Sequence, residues 1–196
     1  ILDNQACMFG GLTSKDNMLY AGCSTAASNT GTVYLYKIDP NDPDRFDSVE
    51  LPKAIVSYAN GMAIDVDGNI YISNSFASSL WSGKPAIVKV TVLDDTAFSV
   101  ETNGWLDSYA SGFPNGIQVD GDKMYFVNAS NLYQITINAD RSAGEVEQVF
   151  TVGNSFWIDD FAVGENYLAI SQIPNPYNNF SSIGMVKIID KATFQE

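Results

Sequence analysis

Histidine is absent from the 196 residues. Its absence removes the Ser-His-Asp and Cys-His nucleophile systems, the HExxH zinc helix and most transition-metal sites. Acid–base chemistry then falls to Asp, Glu, Lys, Tyr or water. A metal must accept oxygen ligands, which selects calcium or magnesium. Basic residues are scarce: 10 Lys and Arg stand against 23 Asp and Glu, for a net charge of −13. Such a surface repels phosphate backbones and excludes a nucleic-acid partner, while it favours cations and solubility. No apolar run approaches the roughly 18 residues a membrane-spanning helix needs, so no membrane association is expected. Phosphate-loop, dinucleotide and cysteine metal motifs are also missing. There are two cysteines, Cys7 and Cys23. They flank a hairpin whose turn is "SKDN", Ser14 to Asn17, and fall nearly opposite each other across the ladder. A disulfide and two free buried thiols both stay open at this stage.

What is present is an ordinary globular composition, 45% apolar and 12% aromatic, in a chain long enough for one domain with a real core. The pattern repeats about every fifty residues. "FGGLTSKDNMLYAGCS" from Phe9, "ANGMAIDVDGNIYISNS" from Ala59, "PNGIQVDGDKMYFVNAS" from Pro114 and "IDDFAVGENYLAISQ" from Ile158 each read as strand, tight turn, strand. Their turns are rich in Asp, Asn and Gly, and a tyrosine recurs in the second strand as Tyr20, Tyr71, Tyr125 and Tyr167. A third strand follows in every unit, from Gly31, Ala86, Asn131 and Gly184, with apolar and polar residues alternating. A weaker fourth strand follows in the first three, from Asp47, Phe98 and Glu145. No convincing amphipathic helix is seen.

Four antiparallel strands per repeat describe a β-propeller blade. The expected fold is therefore all-β, a single propeller domain over residues 1–196. Its repeats cover approximately 1–51, 52–103, 104–152 and 153–196. Four blades of this size are expected to belong to a six-bladed ring, with a closed four-bladed ring as the alternative. The chain begins at Ile1 with no signal peptide, which fits a processed, trimmed or partial chain. Two glycosylation sequons, at Asn128 and Asn179, are compatible with secretion, and a monomer is expected.

The anchors of the repeat are Gly10, Asn60, Asn115 and Asp159, at spacings of 50, 55 and 44 residues. First residues of inner strands face one mouth of a propeller channel. Asn60, Asn115 and Asp159 would then bring two amide oxygens and a carboxylate together, a set that suits Ca²⁺. The plainer reading is that an Asn-Gly pair serves a turn. Strict strand alternation would let only one of Asp159 and Asp160 face the channel. Asn74 and Asn128, at matching places after the second strands, are either mouth-lining residues or turn and surface asparagines.

"FPNGI" and "ANGMAID", each leading into an inner strand, resemble motifs of the SMP-30/gluconolactonase group. That group includes diisopropyl-fluorophosphatase-type enzymes and is related to paraoxonases and strictosidine-synthase-like proteins. The resemblance implies a six-bladed propeller holding a catalytic Ca²⁺ through a Glu, two Asn and an Asp from successive blades. It matches Asn60 and Asn115 to the two Asn ligands and Asp159 to the Asp, within "IDDFAV" where the group often has Asp-Gly. The group's Glu, about two repeats before Asn60, has no counterpart in this chain, which would correspond to blades two to five of six.

Three functional expectations follow. The first is a calcium-dependent hydrolase of a lactone or ester, with Ca²⁺ on the substrate carbonyl and Asp159 as water-holding base or nucleophile. The second is a non-catalytic secreted propeller that binds a protein, glycan or small ligand, with Trp81, Trp105, Phe156 and Trp157 either as contacts or as packing between blades. The third is a metal-free condensing enzyme like strictosidine synthase.

Overall fold

The computed structural model describes residues 7–76, 83–107, 113–175, 177 and 183–196. Trp81, the Asn179 sequon and Ile1 lie outside the described residues. The first sheet contains β1 (Met8–Lys15), β2 (Met18–Ser24), β3 (Val33–Asp39) and β4 (Asp42–Glu50). The second contains β5 (Ala59–Ile64), β6 (Ile70–Asn74), β7 (Ile87–Asp94) and β8 (Ser99–Leu106). The third contains β9 (Pro114–Asp120), β10 (Lys123–Asn128), β11 (Asn131–Ile137) and β12 (Ala143–Thr151). The fourth contains β13 (Phe156–Val163), β14 (Tyr167–Pro174) and β15 (Met185–Asp190). In every sheet, strands adjacent in sequence are adjacent in space, so each is an up-and-down meander. These are the blades of a β-propeller, with all elements β and each repeat of the sequence forming one sheet.

The turns form where the residues can adopt them. Between Lys15 and Met18, which close the first hairpin, only Asp16 and Asn17 remain, with φ of 50° and 62°. Both central residues of a type I′ turn need positive φ, and Asx residues tolerate it best after glycine. In the second blade, the buried Asp65 organises the turn. Its Oδ1 accepts from the amides of Asp67 and Asn69 at 3.0 and 2.9 Å, and its Oδ2 accepts from Asn69 Nδ2 and the Tyr71 hydroxyl at 2.9 and 3.1 Å. A buried carboxylate is tolerable only with such a set of donors.

The chain forms two compact units, Ile1–Pro114 and Asn115–Glu196. The first unit's core joins faces of its two sheets, with Tyr20, Leu35, Ile70, Ile72 and Val88 among its members. The second unit's core gathers Tyr125, Val127, Leu132, Phe161, Leu168 and Ile170. Second strands are covered on both faces, and every residue of β6 is buried. The fourth strand β4 is instead mostly exposed and carries Asp42, Asp44, Arg45, Asp47 and Glu50, charges that guard a sheet edge. Of the four repeated tyrosines, Tyr20, Tyr71 and Tyr125 are buried, whereas Tyr167 is exposed.

Two irregularities recur among the inner strands, the first in three blades and the second in two. The first is a bulge. Phe9 and Leu12 pair with Cys23 and Ala21, Ala59 and Met62 with Asn74 and Ile72, and Ile158 and Phe161 with Gln172 and Ile170. In each case three steps on the inner strand oppose two on its neighbour. The bulged pairs are Gly10-Gly11, Asn60-Gly61 and Asp159-Asp160, so three of the four repeat anchors sit in bulges. The second irregularity is a fastening at the residue opposite the start of the bulge. In the first blade this residue is Cys23, disulfide-bonded to Cys7 with a Cα–Cα distance of 5.7 Å. In the second it is Asn74, whose Oδ1 accepts from the amides of Ser57 and Tyr58, both at 3.2 Å. Its Nδ2 donates to the carbonyls of Ile55 and Pro85 at 3.2 and 3.0 Å. A covalent bond in one blade and an amide in the next thus tie the segment before the inner strand to the end of the second strand.

Candidate functional site

The site builds from the bulges. A regular strand sends successive side chains to opposite faces, and an inserted residue re-aims them. In the second unit this brings Asp159 and Asp160 together against β9. Asn115 Nδ2 donates to Asp159 Oδ1 at 3.0 Å. A Cβ added to Gly116 would lie 2.3 Å from Asp160 Oδ1 and 3.0 Å from Asp160 Cα, so Gly116 is the residue that lets Asp160 lie over the strand. Strict alternation therefore does not choose between the two carboxylates, because the bulge suspends it: Asp159 meets Asn115 and Asp160 meets the adjoining glycine.

Both aspartates are exposed residues. Loss of hydration pushes the Asp160 carboxyl above the ordinary aspartate range, and the neighbouring Asp159 charge adds to the rise. The Phe161 amide, donating to Asp160 Oδ1 at 2.8 Å, opposes it. The rise at Asp160 therefore reflects partial shielding of its carboxyl against β9 rather than burial of the residue.

In the first unit, Asn60 is held by serines. Its Nδ2 donates to Ser75 Oγ at 2.8 Å, and Ser75 Oγ donates to the Pro114 carbonyl at 2.6 Å. The next bulge residue, Gly61, donates its amide to Ser73 Oγ at 2.7 Å. Ala59 donates its amide to Ser24 Oγ at 3.0 Å. The equivalent anchor in the first blade, Gly10, has no side chain for a steric reason: a Cβ there would lie 2.1 Å from the Ala59 carbonyl oxygen. The three serines are absent from the sequence expectations. Their only sequence signal is the repeated small hydroxyl residues at the ends of second strands, in "GCS" and "ISNS".

Asn74 and Asn128 are neither mouth-lining nor surface residues. Asn74 is fully buried and serves the fastening described above, and Asn128 is 4% exposed with its Oδ1 lacking a hydrogen-bond partner. The aromatic residues divide similarly. Trp105 is half-buried edge-on to Tyr71, with ring centroids 5.0 Å apart. Trp157 is half-buried edge-on to Tyr177 at 5.6 Å. Phe156 is half-buried.

Whether these residues fit Ca²⁺ is a question of donor chemistry. Among the described residues no group of three or more His, Cys, Asp or Glu gathers to hold a metal. A cation site here must draw on amides as well as carboxylate. The Asn115 and Asp159 head groups meet that requirement. Two oxygens that each lie about 2.4 Å from one Ca²⁺ are about 3 Å apart, which is the separation of Asn115 Nδ2 and Asp159 Oδ1. Which end of an amide faces a neighbour is set by the hydrogen-bond network. Beside a bare carboxylate the donor end faces it, and rotation of the amide places an oxygen there. Amide and carboxylate oxygens are the donor types a hard cation takes, and the 3.0 Å contact itself is an N–H···O hydrogen bond.

No protein family matches the chain, and no curated protein does. Among solved structures, a luciferin-regenerating enzyme is similar at 13% identity with a TM-score of 0.67, over 99% of this chain and 65% of that one. A native arabinanase from Bacillus subtilis is similar at 16% identity with a TM-score of 0.45, over 91% of this chain and 71% of that one. An endo-arabinanase from Bacillus licheniformis stands at 14% identity and a TM-score of 0.44, over 93% and 74%. The chain thus spans 65% of the length of the luciferin-regenerating enzyme. At that identity the first likeness establishes a shared fold, the β-propeller.

Proposed function

We propose that the chain forms part of a calcium-dependent hydrolase of the lactonase or esterase type, in the SMP-30/gluconolactonase group. The observation that carries this reading is the 3.0 Å contact between Asn115 and Asp159, made by a bulge that turns two adjacent carboxylates onto one strand. The fold shared with a luciferin-regenerating enzyme supports it. Asn115 and Asp159 would hold the cation. Asn60 would be a further ligand on the resemblance of its motif alone, at a bulge position equivalent to that of Asp159. Bound Ca²⁺ supplies Lewis-acid polarisation of a substrate carbonyl and stabilises negative charge developing on its oxygen. Asp159, an exposed residue, would orient the attacking water and accept its proton, or would attack the carbonyl carbon directly. The Cys7–Cys23 bridge supports residence in an oxidising, extracytoplasmic compartment.

The test is calcium binding and lactone turnover by the intact protein. A ligand present at a hundred times its dissociation constant stabilises the folded state by about 2.7 kcal/mol. For a domain of this size that raises the melting midpoint by about 5–10 °C. Ca²⁺ is expected to produce this rise and chelator to remove it. Asp159→Ala is expected to lose both the rise and calcium-dependent hydrolysis, and unchanged turnover in that variant would refute the assignment.

A further inference from the structure

We propose that Trp157 and Tyr177 form a binding corner for the ring of a neutral carbohydrate, a site separate from the cation chemistry above. Both residues belong to the second unit. Their ring centroids are 5.6 Å apart and their planes stand at 61°, so one ring makes a floor and the other a wall. Trp157 is half-buried, whereas Tyr177 is 72% exposed. Trp105 and Tyr71 make the contrast: they too meet edge-on, at 5.0 Å, but that tyrosine is fully buried and packs the interior. Exposure by itself says little, since single aromatic side chains in water are common. What sets Tyr177 apart is how it is held. Asn175, 7% exposed, accepts from the Tyr177 amide on its Oδ1 at 2.9 Å and donates from Nδ2 to the Asn154 carbonyl at 2.8 Å. Its own amide donates to the Ser155 carbonyl at 3.0 Å.

A buried side chain thus commits both ends of its amide to fixing the backbone of a residue whose ring stays in water. Trp157 is fixed independently, opposite Ile173 in the β13–β14 ladder. Two aromatic rings already held at an angle lose little freedom when a ligand settles between them. The rim points to the class of ligand. Residues 152–157 and 174–177 include no Asp, Glu, Lys or Arg, in a chain where 17% of residues are charged, which favours a neutral ligand. The exposed neighbours are Asn154 and Ser155, whose amide and hydroxyl can both donate and accept. A sugar ring matches both parts. Its C–H face lies on an aromatic ring, and the hydroxyls around its edge exchange hydrogen bonds with amides and hydroxyls.

The experiment is a saturation-transfer NMR titration of the intact protein with neutral tetrasaccharides of the cellulose, xylan, mannan and amylose types. Tetragalacturonate serves as the charged control. At least one neutral sugar is expected to bind, and Tyr177→Ala is expected to weaken that binding by about tenfold. Tyr177→Phe keeps the ring and is expected to stay within about threefold of the wild type. Because the side chain is exposed, both variants are expected to unfold at the wild-type urea midpoint. Binding is expected to be the same in chelator, so that success or failure here is distinct from success or failure of the calcium reading. No transfer from any of the four neutral sugars would overturn the proposal. Equal losses in the alanine and phenylalanine variants would also overturn it, because they would assign the contact to the hydroxyl and not to the ring. So would binding of tetragalacturonate as tight as that of the neutral sugars, or a loss of sugar binding in chelator.

Discussion

Replacing Asn74 by alanine is expected to be among the most damaging single changes available outside the apolar cores. The side chain is fully buried and its amide serves four backbone groups. Two are N–H donors, of Ser57 and Tyr58, and two are carbonyl acceptors, of Ile55 and Pro85. Alanine abandons all four in a space too small for a full replacement set of waters. An orphaned buried polar group costs about 1–3 kcal/mol. Four such groups with partial relaxation bring the expected loss to about 3–5 kcal/mol, against about 5–15 kcal/mol for the stability of an ordinary domain. The first blade supplies a comparison of independent origin. Its fastening closes a loop of sequence separation 16, for which chain entropy alone gives about 3 kcal/mol. Two unlike chemistries at one repeat position thus carry similar energies. The assay is urea unfolding of wild type and Asn74→Ala, followed by circular dichroism, with midpoint and slope both fitted. A loss below about 1 kcal/mol would refute the fastening argument. If such a small loss came with a collapse of turnover, Asn74 would belong to the channel mouth after all.

The remaining expectations are sterical and electrostatic. Gly10→Ala should destabilise more than Gly116→Ala: the new Cβ meets a backbone carbonyl at 2.1 Å in the first case and a movable carboxylate oxygen at 2.3 Å in the second. Overpacking of this kind costs about 1–3 kcal/mol, and chemical unfolding of the two variants checks the order. At alkaline pH, the phenols of Tyr20 and Tyr125 are pushed above the ordinary tyrosine range, chiefly by burial. A raised folded-state value means that their contribution to stability is complete below about pH 10 and is lost as pH rises through the folded value. Ultraviolet titration should show these two phenolates forming late, and Tyr125→Phe should flatten the alkaline fall in stability.

Much of the fold is legible in the sequence because the blade is a local object. Its hairpins close over a few residues, so the Asx-rich turns and the period-two alternation sit in one short window. "SKDN" yields a two-residue turn at Asp16 and Asn17, and the strands from Asn131 and Glu145 become β11 and β12. The fastening is harder to read, because the fourfold-bonded Asn74 and the disulfide-bonded Cys23 look unrelated as letters. Only the ladder register places them at one position, opposite Ala59 and Phe9.

At the candidate site the sequence displays the residue types at the repeat anchors but not how they meet, and the bulge is the physical reason. Sequence patterns assign faces by counting in twos, and a bulge adds one residue that carries no mark of its own. Across "IDDFAV" the count breaks between Ile158 and Phe161, so both aspartates meet β9 where alternation would have parted them. The same break explains the glycines. Gly11 and the Gly116 beside Asn115 stand where a Cβ would run into a neighbouring strand, Met62 at 2.4 Å in the first case and Asp160 at 2.3 Å in the second. At Asn60-Gly61 the Asn-Gly pair is then less a turn signal than the mark of a bulge, and at Asn115-Gly116 the asparagine meets Asp159 while the glycine leaves room for Asp160. Replacing either one alone tests this division of labour. Asn115→Ala should cost calcium affinity with little change in stability measured in chelator, and Gly116→Ala should reverse the pattern by lowering stability in chelator first. If the asparagine variant were the less stable of the two, the pair would be a structural turn, and Asn115 would have no part in presenting a ligand.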